Sequence, residues 1–151
     1  MDYIICRRLS DNELEAALSL VWQVFLQYDA PSFGKEGTQE FKRSISDKSW
    51  QAELTVYGAF DGGELVGTIA SRKNGRHIAL FFVRGDHQRR GIGRRLFEAL
   101  LRDSTSDVIT VNAAPTAVAV YQKLGFEPTG DQQSVNGVKF TPMALQRQLP
   151  R

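Results

Sequence analysis

Apolar residues recur with two different periods along this chain, and the switches between them mark its elements. Tyr3 to Leu9 alternates and predicts a first strand. Ser10 then stands three residues before Glu13, the reciprocal arrangement that satisfies free amides where a helix begins. Leu14, Ala17, Leu18, Val21, Val24, Phe25 and Tyr28 follow at helical spacing. Ala30-Pro31-Ser32-Phe33-Gly34 is expected to break that helix, and a second, shorter one is expected from Gly37 to about Ile45.

From Leu54 the period becomes two. Thr55 to Phe60 predicts a strand that runs into the glycine turn Asp61-Gly62-Gly63, and Leu65 to Ser71 predicts its return. Asn74-Gly75 is a strong hairpin signal, so His77 to Val83 becomes the third strand of an antiparallel meander. A loop rich in Gly and Arg leads to a helix with Ile92, Leu96, Ala99 and Leu100 on one face. Asp107 to Asn112 reads as a short β-branched strand, and Thr116 to Leu124 as a helix closed by Gly125. Phe126 opens another strand, and Asn136-Gly137 turns the chain into Val138 to Leu145, where Pro142 predicts an edge or a bulge. The order is β-α-α-β-β-β-α-β-α-β-β: an α/β fold with a mixed, mostly antiparallel central sheet and flanking helices. The helix between the His77 and Asp107 strands is the connection expected of parallel neighbours.

A chain of 151 residues fits one domain, residues 1–151, able to bury roughly 70% of its unfolded surface. No run approaches the ~20 apolar residues that span a bilayer, and the N-terminus lacks the basic lead-in of a signal peptide. The expectation is a cytoplasmic protein with no membrane partner. Cys6 is the single cysteine, so no internal disulfide forms, and two histidines remote from it offer no metal spacing. Nineteen basic against 17 acidic residues leave a net charge of +2, which argues against a long nucleic acid as partner. The basic residues instead gather between Arg84 and Arg95.

That gathering carries the chemistry. A helix start already bears about half a positive charge and four unpaired amides. Adding Arg89, Arg90, Arg94 and Arg95 there is unfavourable unless an anion sits among them. Gly91 and Gly93 let backbone amides approach such an anion. A solvated basic loop is the plainer alternative. The spacing Gln88-x-x-Gly91-x-Gly93 is neither the dinucleotide fingerprint, since position 96 is Leu, nor a Walker loop, which needs Gly-Lys-Ser/Thr.

These residues resemble motif A of the GCN5-related N-acetyltransferase (GNAT) family: a strand ending in Val, then Gln/Arg-x-x-Gly-x-Gly/Ala, then a helix. The stretch Asn112-Ala113-Ala114-Pro115-Thr116 to Tyr121-Gln122-Lys123-Leu124-Gly125-Phe126 resembles the family's motif B, at the expected separation. The likeness spans Tyr3 to Leu145, and the Val24-Phe25 to Phe41 segment is similar to a branch of small bacterial members. Two positions depart from the pattern: Gly85 stands where members often carry Pro, and Arg89 where they often carry Gly.

The resemblance implies acetyl transfer from acetyl-coenzyme A to a primary amine of a small molecule or peptide, by direct attack in a ternary complex. It implies that amides around Arg89, Arg90, Gly91, Ile92, Gly93 and Arg94, following Gln88, hold the coenzyme pyrophosphate. Phe81, Phe82 and Val83 would pair through their backbone with the pantetheine arm, as an added strand does; their side chains could equally pack the core. A backbone amide near Val83 is the expected donor to the thioester oxygen. Tyr121 is the expected general acid, against the alternative of an aromatic packed under the sheet. Asn112 either contacts the cofactor arm or ends its strand.

A general base is harder to find, because the His77–Val83 strand lacks the carboxylate that members often place there. Asp29, Glu36 and Glu40 are candidates through water, though each also reads as a solvated surface acid, and water alone is the remaining option. His77 reads as structural, His87 is left open, and Cys6 reads as a small buried hydrophobe. A non-catalytic acetyl-coenzyme A sensor or interaction module is the alternative function. The apolar final strands could pair two chains as a homodimer.

Overall fold

The computed structural model describes residues 3–149. Eight strands and five helices follow in the order β1 (Ile4–Arg8), α1 (Leu14–Tyr28), α2 (Ala30–Ser46), α3 (Lys48–Ala52), β2 (Thr55–Asp61), β3 (Glu64–Arg72), β4 (His77–Val83), α4 (Ile92–Asp103), β5 (Val108–Ala113), α5 (Val118–Lys123), β6 (Glu127–Pro128), β7 (Gln133–Val135) and β8 (Val138–Gln146). The sheet order is β1-β2-β3-β4-β5-β8-β6, with β7 also on β8. Only β4 and β5 run parallel, as a connection through a helix predicts.

Alternation along the strands splits the apolar residues between two layers. Ile69, Ile78, Phe81 and Val83 pack with Ile92, Leu96 and Leu100 of α4 and with Tyr121 of α5. Ala70, Leu80 and Phe82 pack with Ala17 and Val21 of α1 and with Phe41, Ile45 and Trp50 of α2 and α3. Cys6 is only half-buried, against the α4 layer, rather than fully inside. Ser10 and Glu13 do form the reciprocal cap, the Ser10 amide donating to Glu13 Oε1 at 2.9 Å.

Three sequence expectations need correction. The break at Ala30–Gly34 is present, α1 ending at Tyr28 and Gly34 lying outside helical backbone, but helix resumes earlier than Gly37: Asp29 O accepts from Ser32 and Phe33 amides, and α2 already starts at Ala30. Only Gly34 leaves it, at φ 73°, ψ −173°, a kink that glycine alone makes cheaply. The short α3 was missed, although Asp47 announces it by accepting from the Ser49 and Trp50 amides.

The third correction concerns Pro142. It is not on an edge, because β8 lies between β5 and β6, with Pro142 in register with Asn112. Its carbonyl accepts from the Thr129 amide, so its missing N–H belongs to the same side. That is where the strand expected after Phe126 divides into β6 and β7. The proline interrupts its partner instead of its own strand.

At the β7–β8 turn, α2 presses on the hairpin. A Cβ on Gly37 would lie 2.2 Å from the Gly137 carbonyl oxygen, so both backbones meet with no room for a side chain. Val138, Lys139 and Phe140, next along the hairpin from this contact, line the cavity described next.

Candidate active site

β4 and β5 share register only at His77↔Thr110 and Ile78↔Val111. Beyond that point they diverge. On its other edge β4 carries a bulge: Leu80 faces Ala70 and Ile78 faces Ser71, leaving Ala79 as the extra residue. A bulge bends its strand and sharpens its twist, so β4 turns away from β5 where the extra residue sits. The edge from Ala79 to Val83 therefore has no strand beside it on the β5 side. Phe81, Phe82 and Val83 belong to this open edge, and their side chains pack the two layers, so core packing leaves their backbone edge open.

The divergence opens into a cavity of about 430 Å³, lined by residues that include Asp29, Phe81, Val83, Gln88, Asn112 and Tyr121. On the α1–α2 side its wall is aromatic. Phe25 stacks on Phe41 at 4.0 Å between ring centroids, and Phe41 in turn meets Phe82 at 6.1 Å.

At the mouth above Val83, a polar network fixes the chain before α4. Arg84 pairs with Glu64 and, at 2.7 Å, with Asp86. His87 lies between Asp86 at 2.8 Å and Asp61 at 2.9 Å, and hydrogen bonds to these two carboxylates raise its pKa. His87, left open by the sequence, thus ties this loop to the β2–β3 turn. Gln88 Nε2 donates to the Val83 carbonyl at 3.0 Å and holds the end of β4. The Gly85 departure has a local cause: a Cβ there would lie 2.2 Å from the Tyr28 hydroxyl oxygen, so Tyr28 occupies that space.

Gly91 caps α4 at φ 80°, ψ 5°, a left-handed conformation that glycine adopts freely. By helix geometry the amides of Ile92, Gly93 and Arg94 lack intrahelical acceptors. Arg89 and Arg94 are exposed around them. Arg95 is not part of this group: its Nη2 donates to the Ile4 carbonyl at 2.8 Å, and its charge is turned to β1. At the opposite end of α4, Arg147 donates to the carbonyls of Leu101 and Ser104, the favourable place for a cation.

Arg89 departs from the family pattern at a cost. Its φ of 63° lies in the left-handed region, where a residue with a Cβ is strained by about 1–2 kcal/mol. Arg89→Gly should relieve that strain, less the greater freedom of glycine in the unfolded chain, for a net gain of up to about 1 kcal/mol. The same change should weaken coenzyme A binding by about 2–5-fold through the lost charge. Thermal unfolding and titration calorimetry on the one variant read both signs.

Deeper in, Tyr121 is buried, with its ring edge-on to Phe81 at 5.9 Å and to Phe126 at 5.3 Å. Burial, then the negative charge of Asp29, pushes its pKa up, so the phenol stays protonated at neutral pH. Asn112 lies at the cavity wall near the end of β5, in register with Pro142.

Among the three acids, the structure separates one from the others. Asp29 is only 7% exposed, lines the cavity, and accepts a hydrogen bond from the Thr116 hydroxyl. Burial raises its pKa, opposed by the Thr116 bond. It is not the solvated surface acid of the sequence reading. Glu36 is exposed, and Glu40 pairs with Arg43. His77, expected to be structural, does bond Thr110 Oγ1 at 2.8 Å, but it also lines the cavity. Nothing local to Asp29 points to Thr116 as its partner, because 87 residues separate them.

The geometry fits coenzyme A. An open strand edge ends beneath a helix start that presents unpaired amides, Gly91 takes the backbone conformation this requires, and exposed arginines surround it. The pantetheine arm would find backbone partners along Ala79–Val83, and the pyrophosphate would find the amides of α4.

Comparison with known proteins agrees. Residues 29–147 match the model of the acetyltransferase (GNAT) domain. The fold is similar to a GCN5-related N-acetyltransferase from Rhodopseudomonas palustris, with TM-score 0.81, 20% identity and 97% of each chain covered. It is similar to apo YjaB from Escherichia coli, with TM-score 0.72, 22% identity, and 96% of this chain and 99% of that one covered. It is also similar to the PaiA N-acetyltransferase of Thermoplasma acidophilum in complex with coenzyme A, with TM-score 0.66, 17% identity, and 95% and 98% covered. A search of curated proteins gives no match. Among the described residues no helix is long and apolar enough to cross a membrane. With the domain model matching well over half of the sequence, the chain belongs to the GNAT acetyltransferase family and is an acyltransferase that depends on acetyl-coenzyme A.

Proposed function

We propose that the chain acetylates a primary amine by direct attack in a ternary complex, with Asp29 as general base and Tyr121 as general acid. The observation that carries this reading is the meeting of a buried carboxylate and a buried phenol in one cavity at the diverging edges of β4 and β5. An ammonium of pKa near ~10.4 must lose a proton before it attacks, which costs about 4 kcal/mol at neutral pH. Asp29, directly or through one water, takes that proton. The free amine adds to the thioester carbon. The carbonyl oxygen becomes an oxyanion, which a backbone amide at the end of β4 near Val83 stabilises. As the C–S bond breaks, Tyr121 supplies a proton to the departing sulfur; the second proton of the attacking nitrogen returns to the Tyr121 oxygen, and the proton taken up by Asp29 leaves to solvent. The products are the acetamide and free coenzyme A.

Asp29 fills the gap left by the absent carboxylate of β4, which was the reason to consider a non-catalytic sensor. The amides of Gly91 to Arg94, with Arg89 and Arg90 nearby and Gln88 holding Val83, serve the pyrophosphate. Asn112 serves the arm from the β5 side.

Tyr121→Phe keeps the ring packing and removes only the hydroxyl. It should lower kcat by about 10- to 100-fold while coenzyme A affinity stays within about twofold. Initial rates over both substrates should give intersecting lines, as expected when both are bound together. Full activity in Tyr121→Phe, or parallel lines, would overturn the proposed roles.

A further inference from the structure

The cavity is electrically lopsided. Among its charged or titratable lining groups, Asp29 is the one carboxylate, near Tyr121. Arg72, His77 and Lys139 are its basic groups, and Tyr28 and Tyr121 its phenols. Arg72 and His77 are cross-strand partners at the start of the β3–β4 hairpin, where the splay closes. Thr116, which holds Asp29, follows the far end of β5. The carboxylate and this cationic corner therefore lie toward opposite ends of the β4 strand.

Arg72 has an unspent donor. Its Nη2 reaches Glu53 at 3.2 Å across the surface, but its Nε is buried and has no hydrogen-bond partner. Buried donors are nearly always paired, so an unpaired one on a residue that lines the cavity asks for an acceptor. A guanidinium pairs best with a planar carboxylate. Beside it, His77 spends Nδ1 on Thr110, while Arg72 and Lys73 add to the burial that disfavours its protonated form. The same corner that resists a proton favours an anion. Around it Trp50, Ile45 and Phe41 supply an apolar wall.

Resting on the acetyl-transfer reading above, we infer that the acceptor is an amine that also carries a carboxylate on an apolar body, its acid held by Arg72 beside His77 and its nitrogen toward Asp29. An ω-amino acid and a short peptide share that chemistry; an α-amino acid, with both groups on one carbon, is too short to reach both ends of β4. A polyamine does not, because it would bring a second positive charge to Arg72.

The test compares acceptors that differ in the acid alone. Glycyl-phenylalanine and 6-aminohexanoate are each assayed beside the matching carboxamide, with spermidine as the polycation, by release of coenzyme A thiol. The wild type should favour the carboxylate member of at least one pair by about 10- to 100-fold in kcat/KM. Arg72→Gln should shrink that ratio to below about threefold, and Arg72→Lys should restore part of it. Coenzyme A binding, followed by calorimetry, reports whether each variant retains fold and donor site. His77→Gln provides a second variant should Arg72→Gln unfold through loss of the Glu53 pair. Preference for the carboxamides or for spermidine, or equal losses on both members of a pair, would overturn the inference. Where no acceptor turns over, the N-acetyl product of each acid is titrated into the coenzyme A-loaded protein. Binding that Arg72→Gln removes upholds the inference, and no binding defeats it. Failure of coenzyme A itself to bind would instead bring down the reading beneath it.

Discussion

Asp29→Asn is expected to lower kcat by about 100-fold or more and, in the same molecule, to raise thermal stability near neutral pH. The two effects have one origin. Asp29 is 7% exposed, and its pKa is raised because burial disfavours the charged form. A carboxyl whose folded pKa lies above its unfolded value binds more protons folded than unfolded between the two values. Stability then falls as pH rises through that window, and above it the fold carries the full cost of the buried charge. Asparagine keeps an oxygen to accept from the Thr116 hydroxyl, as Asp29 Oδ1 does, but carries no charge. The gain in stability should therefore be present at pH 7 and shrink as the solution is made acidic.

Activity runs the other way. A base must be ionised, so wild-type kcat/KM should drop as pH falls through the raised pKa of Asp29, and the Asn variant should lack that limb. Unfolding curves and pH–rate profiles of both proteins decide the matter. If Asn at this position leaves kcat and its acid limb unchanged, Asp29 is not the base. If it destabilises the fold at neutral pH, the carboxylate is a structural ion rather than a buried one kept for chemistry.

The elements were legible because local physics decides them. The Ser10 and Glu13 cap, the glycines of the Asp61–Gly63 turn and the bare period of His77 to Val83 each specify structure within a few residues, and the observed bounds of β4 are those read from the sequence. The start of α4, proposed here to bind the diphosphate, was legible for the same reason: Gln88, Gly91 and Gly93 act within one loop and one turn.

What stayed hidden was non-local. Asp29 reads as a surface acid because it ends an amphipathic helix; only the approach of Thr116, after β5, shows it to be buried. Arg95 looked like part of the basic cluster, yet its contact is a carbonyl on β1, 91 positions earlier. Arg72 and His77 lie either side of a hairpin turn and carry no motif; their value comes from the cavity that the β4–β5 divergence opens. Pro142 was misplaced because a strand's neighbours, unlike its own pattern, are set by topology. On the reading proposed above, acceptor recognition is built almost wholly from such long-range meetings, whereas donor recognition is built from one loop. That asymmetry is why the sequence spoke of the coenzyme first.

The donor side has a correspondingly local test. Gly91→Pro is expected to weaken coenzyme A binding by about 100-fold or more while leaving the fold intact. Proline fixes φ near −65°, and Gly91 sits at φ 80°, so the loop cannot keep its present course into α4. The amides of Ile92, Gly93 and Arg94 would be re-aimed. Losing two charge-assisted bonds at about 1.5–3 kcal/mol each suffices for the predicted factor. α4 itself should survive. Ile92, Leu96 and Leu100 are each no more than 2% exposed, and Arg147 holds the other end. Circular dichroism should thus be near that of the wild type.

Gly91→Ala separates amide geometry from crowding. Nothing lies within 4 Å of a Cβ added there, so alanine meets only the left-handed strain of about 1–2 kcal/mol and keeps every amide. Its affinity should fall less than tenfold. Graded loss, small for alanine and large for proline, identifies the helix start as the seat of the diphosphate. Proline binding coenzyme A within threefold of the wild type would mean that the arginines alone, screened and mobile, hold the cofactor; its affinity would then fall steeply with added salt. An amide site carries fixed donors and should keep most of its grip as salt is raised.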